Sequence, residues 1–408
     1  SFAGSWEGRF STEEYEAVME KRKDISLTID WEDGRTDVLS GAEMYQLVFD
    51  SQMPWMLSAN GTIFTTEFEG VIPGLLKRWY AERKDMQKML KKAKDAENKA
   101  EIEYWDKRQL VKKINLNSLY GAILNPGCRF FDKRIGQSTT LSGRTIVKHM
   151  SAEVNNCITG TYDHVGKAMV YGDTDSCYFS AWPLLKDDVN SNKLEWNTEK
   201  AILLYDQICE QANTTFPKFM ADAFHCPKSR SDVIAAGREI VAKSGLFITK
   251  KRYAALVVDN EGFRTDGDGP GKVKAMGLDL RRSDTPVFMQ NFLKELLLMV
   301  LTDVPEKDVL ERITEFRKEF QQMPGWEKGS PKRANKVGHY GRLEQKQGKA
   351  NMPGHVRASI NWNTLKRMNG DKYSQEIVDG MKVIVCKLKQ NPLGYTSVAY
   401  PTDELRLP

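Results

Sequence analysis

Tyr171-Gly172-Asp173-Thr174-Asp175-Ser176 is the stretch on which the reading of this chain turns. Apolar runs flank it at 168–171 and 177–179, which predicts two short strands around a tight turn. One reading is a solvated hairpin turn in which Gly172 supplies an unusual backbone angle. The other is metal binding. Carboxylates are hard oxygen ligands that suit Mg²⁺, and a turn between paired strands holds both on a rigid frame. Two divalent ions about 3.5–4 Å apart stabilise the attacking and leaving oxygens of a phosphoryl transfer. Such a site needs at least one more carboxylate, because the ions together carry four positive charges.

Upstream lies Lys112-Lys113-Ile114-Asn115-Leu116-Asn117-Ser118-Leu119-Tyr120-Gly121. On a helix Lys113, Asn117 and Tyr120 stand at i, i+4 and i+7 and share a face. Ile114, Leu119 and Ala122 fall elsewhere and are expected to pack inward. The polar stripe is either an ordinary exposed face or a surface for a triphosphate. In the second case Lys113 holds the phosphates, a base lies near Asn117 and Tyr120, and Gly121 leaves room for it. Arg83 belongs to the preceding helical stretch. If the two helices pair, Arg83 faces Lys113, and the two cations repel unless an anion sits between them. A salt bridge to Glu82 or Asp85 is the plainer use of the cations there.

The remaining pattern is mixed. Turn signals at Glu32-Asp33-Gly34 and Ala59-Asn60-Gly61 make residues 1–70 α+β, with a hairpin near Asn60-Gly61. Helical spacing from Pro73 and again over 100–124 predicts an antiparallel helix pair joined near 95–98. Further helices are expected over 138–157, 199–224, 287–302 and 305–322, and strands over 234–241 and 253–258. Residues 323–353, rich in Gly, Lys, Arg and Gln, read as exposed loop.

A chain of 408 residues exceeds one ordinary core. Its 40% hydrophobic and 28% charged residues fit a globular chain and argue against a disordered one. The most apolar run, 296–301, is far too short to cross a bilayer. No signal peptide opens the chain, and its first residue, Ser1, reads as a start in mid-sequence. Six scattered cysteines without a Cys-x-x-Cys pair read as free thiols in a reducing cytosol. The net charge of +5 is modest, but basic runs at 77–84, 88–99, 107–113, 250–252, 281–282 and 328–349 fit a polyanionic partner.

In order and spacing, Asn117-Ser118-Leu119-Tyr120-Gly121, the acidic hairpin at 171–176 and Lys250-Lys251-Arg252-Tyr253 resemble three motifs of the family B DNA polymerases, of the T-even-like phage type especially. Weaker agreement runs through Gly70-Val71-Ile72-Pro73, Met276-Gly277-Leu278 and Thr285-Pro286. The resemblance implies an α+β right-hand polymerase fold with an antiparallel palm sheet, helical-hairpin fingers and a mainly helical thumb. On this chain 1–69 would be the first part of the palm, 70–125 the fingers, 126–278 the palm with the catalytic hairpin, and 279–408 an incomplete thumb. It implies template-directed DNA synthesis from dNTPs on a primer–template, with two Mg²⁺ ions.

Roles follow from the same resemblance. Asp173 and Asp175 are the catalytic, metal-binding carboxylates, with Glu239 a further acidic residue near the metals. Arg83, Lys113 and Asn117 meet the incoming nucleotide, and Tyr120 lies under the nascent base pair. Lys251, Arg252 and Tyr253 touch the new duplex, while Lys332, Arg333, His355 and Arg357 hold its phosphates. A sliding clamp as partner and a place in the cytoplasm of an infected bacterial host are implied in the same way.

Two departures stand out. The family's first catalytic motif, Asp-x-x-Ser-Leu-Tyr-Pro, has no counterpart in residues 1–70, and neither does the proofreading exonuclease that precedes it. The thumb also stops short of the family's terminal helices and clamp-binding tail. Either an N-terminal subunit of a split polymerase supplies the first catalytic Asp and the exonuclease, or the chain is an excised piece of a one-chain enzyme. In the split case the interface falls around Phe2, Trp6, Met53, Pro54 and Trp55, residues whose ordinary use is core packing. The alternative in another class is a non-catalytic DNA-binding or scaffolding remnant, against which the intact acidic pair speaks. Reverse transcriptases also carry an acidic pair in a hairpin, but not the helix with Lys113 and Asn117.

Overall fold

Gly34 takes φ 84° between β1 (Ser26–Asp30) and β2 (Thr36–Ser40), an angle open to glycine because no Cβ clashes there, and so closes an antiparallel hairpin. Ser40 then starts the short helix α1 (Gly41–Tyr45) through a capping box with Glu43. A π-helical turn leads on to the second hairpin, β3 (Trp55–Leu57) and β4 (Ile63–Thr65), which turns at Asn60-Gly61 as the residues predict. The computed structural model describes residues 26–347 and 351–402. The chain divides into two units, Ser1–Arg238 and Glu239–Pro408.

The expected helix pair in the first unit is α2 (Val71–Asp95) and α3 (Lys99–Ile123). Each has 25 residues, which makes each about 37 Å long. Asn98 caps α3 by accepting from the Glu101 amide at 3.3 Å. Next comes α4 (Lys133–Thr159), whose first turn is capped by the Asp132 carboxylate and whose end is closed by Gly160 at φ 73°. The acidic stretch forms β5 (Met169–Asp173) and β6 (Ser176–Phe179). Two helices follow, α5 (Trp182–Asn190) and α6 (Thr198–Phe224).

Helices α4 and α6 make the floor of this unit. Val154, Ile208 and Ala212 are buried together, with Met169 and Phe179 of the hairpin packed on them. A neighbouring cluster around Phe219, Met220 and Phe224 takes in Met56 of the second hairpin. A buried hydroxyl pair, Ser58 and Ser138 at 3.2 Å, ties that hairpin's loop to α4. Trp55 packs against Trp31 with ring centroids 5.8 Å apart, Pro54 is half-buried, and Met53 is exposed. Phe2 and Trp6 lie outside the described residues.

Residues 234–239 are not strand as the apolar run suggests. The Asn213 side chain takes both backbone groups of Ala236, donating to its carbonyl at 2.8 Å and accepting from its amide at 2.7 Å. A side-chain amide thus replaces the ladder that a strand would need.

The second unit opens on an antiparallel sheet in the order β10-β8-β7: β7 (Ile240–Thr249), β8 (Arg252–Asn260) and β10 (Lys272–Met276), with β9 (Phe263–Arg264) pairing β8. Ala254, Leu256, Val273 and Ala275 bury one core with Leu278 and Leu301. Leu301 ends α7 (Val287–Leu301), which packs beside α8 (Glu306–Gln322), where Phe292 and Phe316 stack at 3.6 Å.

The stretch read as exposed loop, 323–353, instead contains β11 (Ser330–Arg333) and α9 (Val337–Gln347). They join α10 (Gly354–Met368), β12 (Lys382–Lys387) and β13 (Ser397–Pro401) around a core of Val337, Val356, Ala358, Ile377 and Val383. The stabilising partners are remote in sequence. β11 is ordered by pairing with β12, and the Val337 amide of α9 donates to the Asp379 carboxylate at 2.5 Å. Local composition therefore could not reveal them. No helix among the described residues is long and apolar enough to cross a membrane, and all six cysteines are free thiols.

Candidate active site

The hairpin β5–β6 carries Asp173 and Asp175 at its tip, with Asp173 paired to Ser176 and the turn formed by Thr174 and Asp175. Val170 is an extra residue in the ladder, between the Met169–Phe179 and Tyr171–Tyr178 pairs. Without this bulge Met169 and Tyr171 would point to the same face. With it, Met169 sits against the core with Phe179, while Tyr171 lies beside Tyr178, ring centroids 6.1 Å apart. The bulge turns the acidic end of the hairpin out of the core.

Asp173 is tied into its own turn. It accepts from the Thr174 amide at 2.9 Å, from Thr174 Oγ1 at 3.2 Å and from Tyr171 Oη at 3.3 Å. Asp175 is exposed and makes no hydrogen bond or ion pair with any described residue. Its oxygens are the ones open to a cation.

Behind the hairpin, burial pushes the Cys177 thiol up to about 11 against an opposing hydrogen bond from Ser151 on α4. Phe179 meets Tyr205 of α6 edge-on at 5.5 Å. On α4 itself, His149 is buried between Tyr162 Oη at 2.7 Å and Thr215 Oγ1 at 3.0 Å, and stacks on Phe219 at 3.9 Å. Burial takes its pKa down to about 4, so the ring is neutral.

The helix stripe is exposed as well. Lys113, Asn117 and Tyr120 all face solvent, and Lys113 has no partner among the described residues. Its neighbour Lys112 points the other way, toward α2, where it pairs with Glu82 and lies over the Trp79 ring at 5.6 Å. Glu82 thus serves Lys112 rather than Arg83 or Lys84. Arg83 reaches Gln109 at 3.4 Å, not Lys113. Ile114 is 54% exposed, contrary to the expectation of inward packing, whereas Leu119 and Ala122 are half-buried. Apolarity alone therefore does not decide which side of α3 a residue takes.

Tyr120 links the stripe to the hairpin's scaffold. Its hydroxyl bonds Thr140 Oγ1 on α4. Ser151, which touches Cys177, is eleven residues further along the same helix, about 16 Å at 1.5 Å per residue. One rigid helix therefore carries both the foot of the polar stripe and the back of the acidic hairpin.

In the second unit, Lys251 turns from β7 to β8 at φ 62°, and Gly277 passes so close that a Cβ there would lie 2.0 Å from the Lys251 carbonyl. Lys251 and Arg252 are exposed, while Tyr253 is buried and stacks on Phe247 at 5.4 Å. Glu239 pairs with Lys274 at 2.9 Å. Lys332 pairs with Asp284 at 2.6 Å and Arg357 with Glu344, which neutralises both cations. Arg333 is exposed and donates to the Gly380 carbonyl at 3.2 Å. His355 is half-buried, its pKa lowered by burial and by nearby Lys332. Nothing in composition signals these internal pairings.

Carboxylate chemistry at the hairpin suits a hard divalent cation. Among the described residues, however, no group of three or more His, Cys, Asp and Glu side chains is placed to hold one. Asp175 fits as one ligand of an incomplete set.

Known proteins share much of this sequence. The sequence pattern of DNA polymerase family B matches residues 35–184. Residues 35–184 thus carry the family B DNA polymerase pattern, and the chain is similar to phage members of that family over most of its length. It is 30% identical over 305 residues to the DNA-directed DNA polymerase of Escherichia phage RB69, across 72% of this chain and 33% of that protein. Against the DNA-directed DNA polymerase of Enterobacteria phage T4 it is 25% identical over 416 residues, across 85% of this chain and 44% of that one. The DNA polymerase delta catalytic subunit of Glycine max is 29% identical over 237 residues, 58% of this chain and 18% of the plant protein. The chain thus spans less than half the length of the phage relatives it matches.

Proposed function

We propose that this chain supplies the fingers, the hairpin-bearing part of the palm and part of the thumb of a template-directed DNA polymerase, and that a second polypeptide completes its active site. The observation that carries the reading is Asp175: an exposed carboxylate without a partner among the described residues, at the tip of a hairpin backed by the helix that also holds Tyr120.

The substrates are a primer–template and dNTPs. Lys113, exposed and unpaired among the described residues, meets the triphosphate with Asn117 on the same face of α3, and Arg83, which bonds Gln109 in the free chain, turns to the phosphates when they bind. Tyr120 is held by Thr140 under the nascent base pair. Asp175 holds divalent cation, with Asp173 shaping the turn. Mg²⁺, when bound there, lowers the pKa of the primer 3′-hydroxyl and offsets charge on the phosphates. The hydroxyl attacks the α-phosphate in line and pyrophosphate leaves. Lys251 and Arg252 contact the product duplex through its phosphates, without reading sequence. In this reading Glu239 is occupied by Lys274, and Lys332 and Arg357 are structural; Arg333 and His355 keep a secondary role on the duplex.

Residues 1–70 carry no counterpart of the first catalytic motif, so in this reading the first catalytic Asp and the exonuclease come from outside residues 1–408, on an N-terminal polypeptide or on the same chain. A clamp and a role in phage replication inside the infected host accord with the kinship to phage enzymes. Primer extension tests the reading. The chain mixed with the candidate N-terminal polypeptide should extend a primer in Mg²⁺, and neither should do so alone. If the mixture carrying Asp175→Ala extends as fast as wild type, the catalytic assignment is wrong and a DNA-binding remnant remains.

A further inference from the structure

We infer that Asn155 is the positioning residue of the acidic hairpin, the joint that sets where Asp173 and Asp175 are presented; the inference rests on the polymerase reading above. Asn155 is 1% exposed and lies on α4, near the end from which the chain leaves for β5. Its amide is turned onto the last residue of α4 and the connecting loop. Nδ2 donates to the Thr161 carbonyl at 2.8 Å and to Thr159 Oγ1 at 3.0 Å. Oδ1 accepts from the Ala168 amide at 3.1 Å. The loop closes on it so tightly that a Cβ on Gly166 would fall 2.2 Å from Nδ2.

Ala168 is the next link. Its amide is held by Asn155, and its carbonyl accepts from the Ser180 amide at 2.8 Å, at the open end of the hairpin. Asn155, Ala168 and Ser180 therefore form a continuous hydrogen-bonded path from the helix to both legs of the hairpin. The carboxylates lie at the far end. Ala168 to Asp173 is five steps along an extended strand, about 17 Å. A tilt of about 5° at the root would carry the tip by about 1.5 Å, and a misplacement near 1 Å can cost about a hundredfold in rate. Asn155 touches no substrate; it acts only through this lever. The Met169 and Phe179 packing resists collapse of the hairpin but does not replace the polar bonds that set its root.

The test uses the complete assembly, this chain with the polypeptide that supplies the first carboxylate. Asn155→Ala removes the amide, and Gly166→Ala crowds it from the other side. Both variants should bind primer–template, measured by fluorescence anisotropy, within about threefold of wild type. Both should keep their KM for dNTP within the same range, lose ten- to a hundredfold in kcat, and need more Mg²⁺ for half-maximal rate. Unchanged kcat and Mg²⁺ dependence in both variants overturns the proposal. So does failure of both to fold, or loss of duplex binding in step with turnover, because Asn155 is then only a residue of fold stability. Asp175→Ala is the control. If it too leaves extension unaltered, the polymerase reading itself has failed, and if it alone is inactive, only the assignment of Asn155 has.

Discussion

Asp173 and Asp175 stand two residues apart in opposite circumstances: Asp173 is hydrogen-bonded by Thr174 and Tyr171 within its own turn, while Asp175 is exposed with no partner among the described residues. The asymmetry separates a carboxylate that shapes the turn from one that is free to bind a cation. Asp175→Asn should lower single-nucleotide incorporation by about 10³-fold or more, as loss of a group that stabilises transition-state charge does. Asp173→Asn, which keeps an oxygen acceptor for Thr174, should lose about tenfold or less. Rapid-quench incorporation with the completed assembly measures both, and equal losses would contradict the division of labour.

Lys112 and Lys113 offer a second contrast. Lys113→Ala should raise the KM for dNTP about ten- to a hundredfold, since a charge-assisted contact to phosphate disappears. Lys112→Ala removes the pair with Glu82 and the contact over the Trp79 ring, both turned toward α2; a partly exposed pair of this kind contributes about 0–1 kcal/mol. It should leave the KM within about twofold. Steady-state titration with dNTP distinguishes them.

Duplex binding should report which cations are available to phosphates. Arg252→Ala should reduce the slope of log Kobs against log salt by about one. Arg357→Ala should leave that slope unchanged, because Glu344 already neutralises this guanidinium. Anisotropy titrations between low and moderate salt supply the slopes.

His149 ties stability to pH. Its pKa is about 4 in the folded chain against an ordinary 6.5, so between those values the unfolded chain binds the extra proton. The stabilisation is fully present above pH 6.5 and is lost as the pH falls toward 4, by up to roughly 3 kcal/mol. The melting temperature of wild type should fall across that window, and His149→Gln, which cannot protonate, should flatten the fall. A wild-type curve as flat as the variant's would exclude the mechanism.

Much was legible in the chain itself, for local reasons. Apolar runs on either side of the acidic turn announced the hairpin, 3.6-residue spacing announced the helix pair, and Asn60-Gly61 announced its turn. Lys113, Asn117 and Tyr120 fall on one exposed face because helix geometry alone dictates it. Other features depended on partners far along the chain. The choice of Glu82 by Lys112, the replacement of a strand at 234–239 by Asn213, and the ordering of 330–347 by β12 and Asp379 each rest on contacts between remote residues. Backbone propensity acts over neighbours and can be read in one pass, whereas hydrogen bonds and ion pairs that close long loops exist only once the chain has packed. The identity of the acids was therefore written locally, and their aim was set by the packed structure around Asn155.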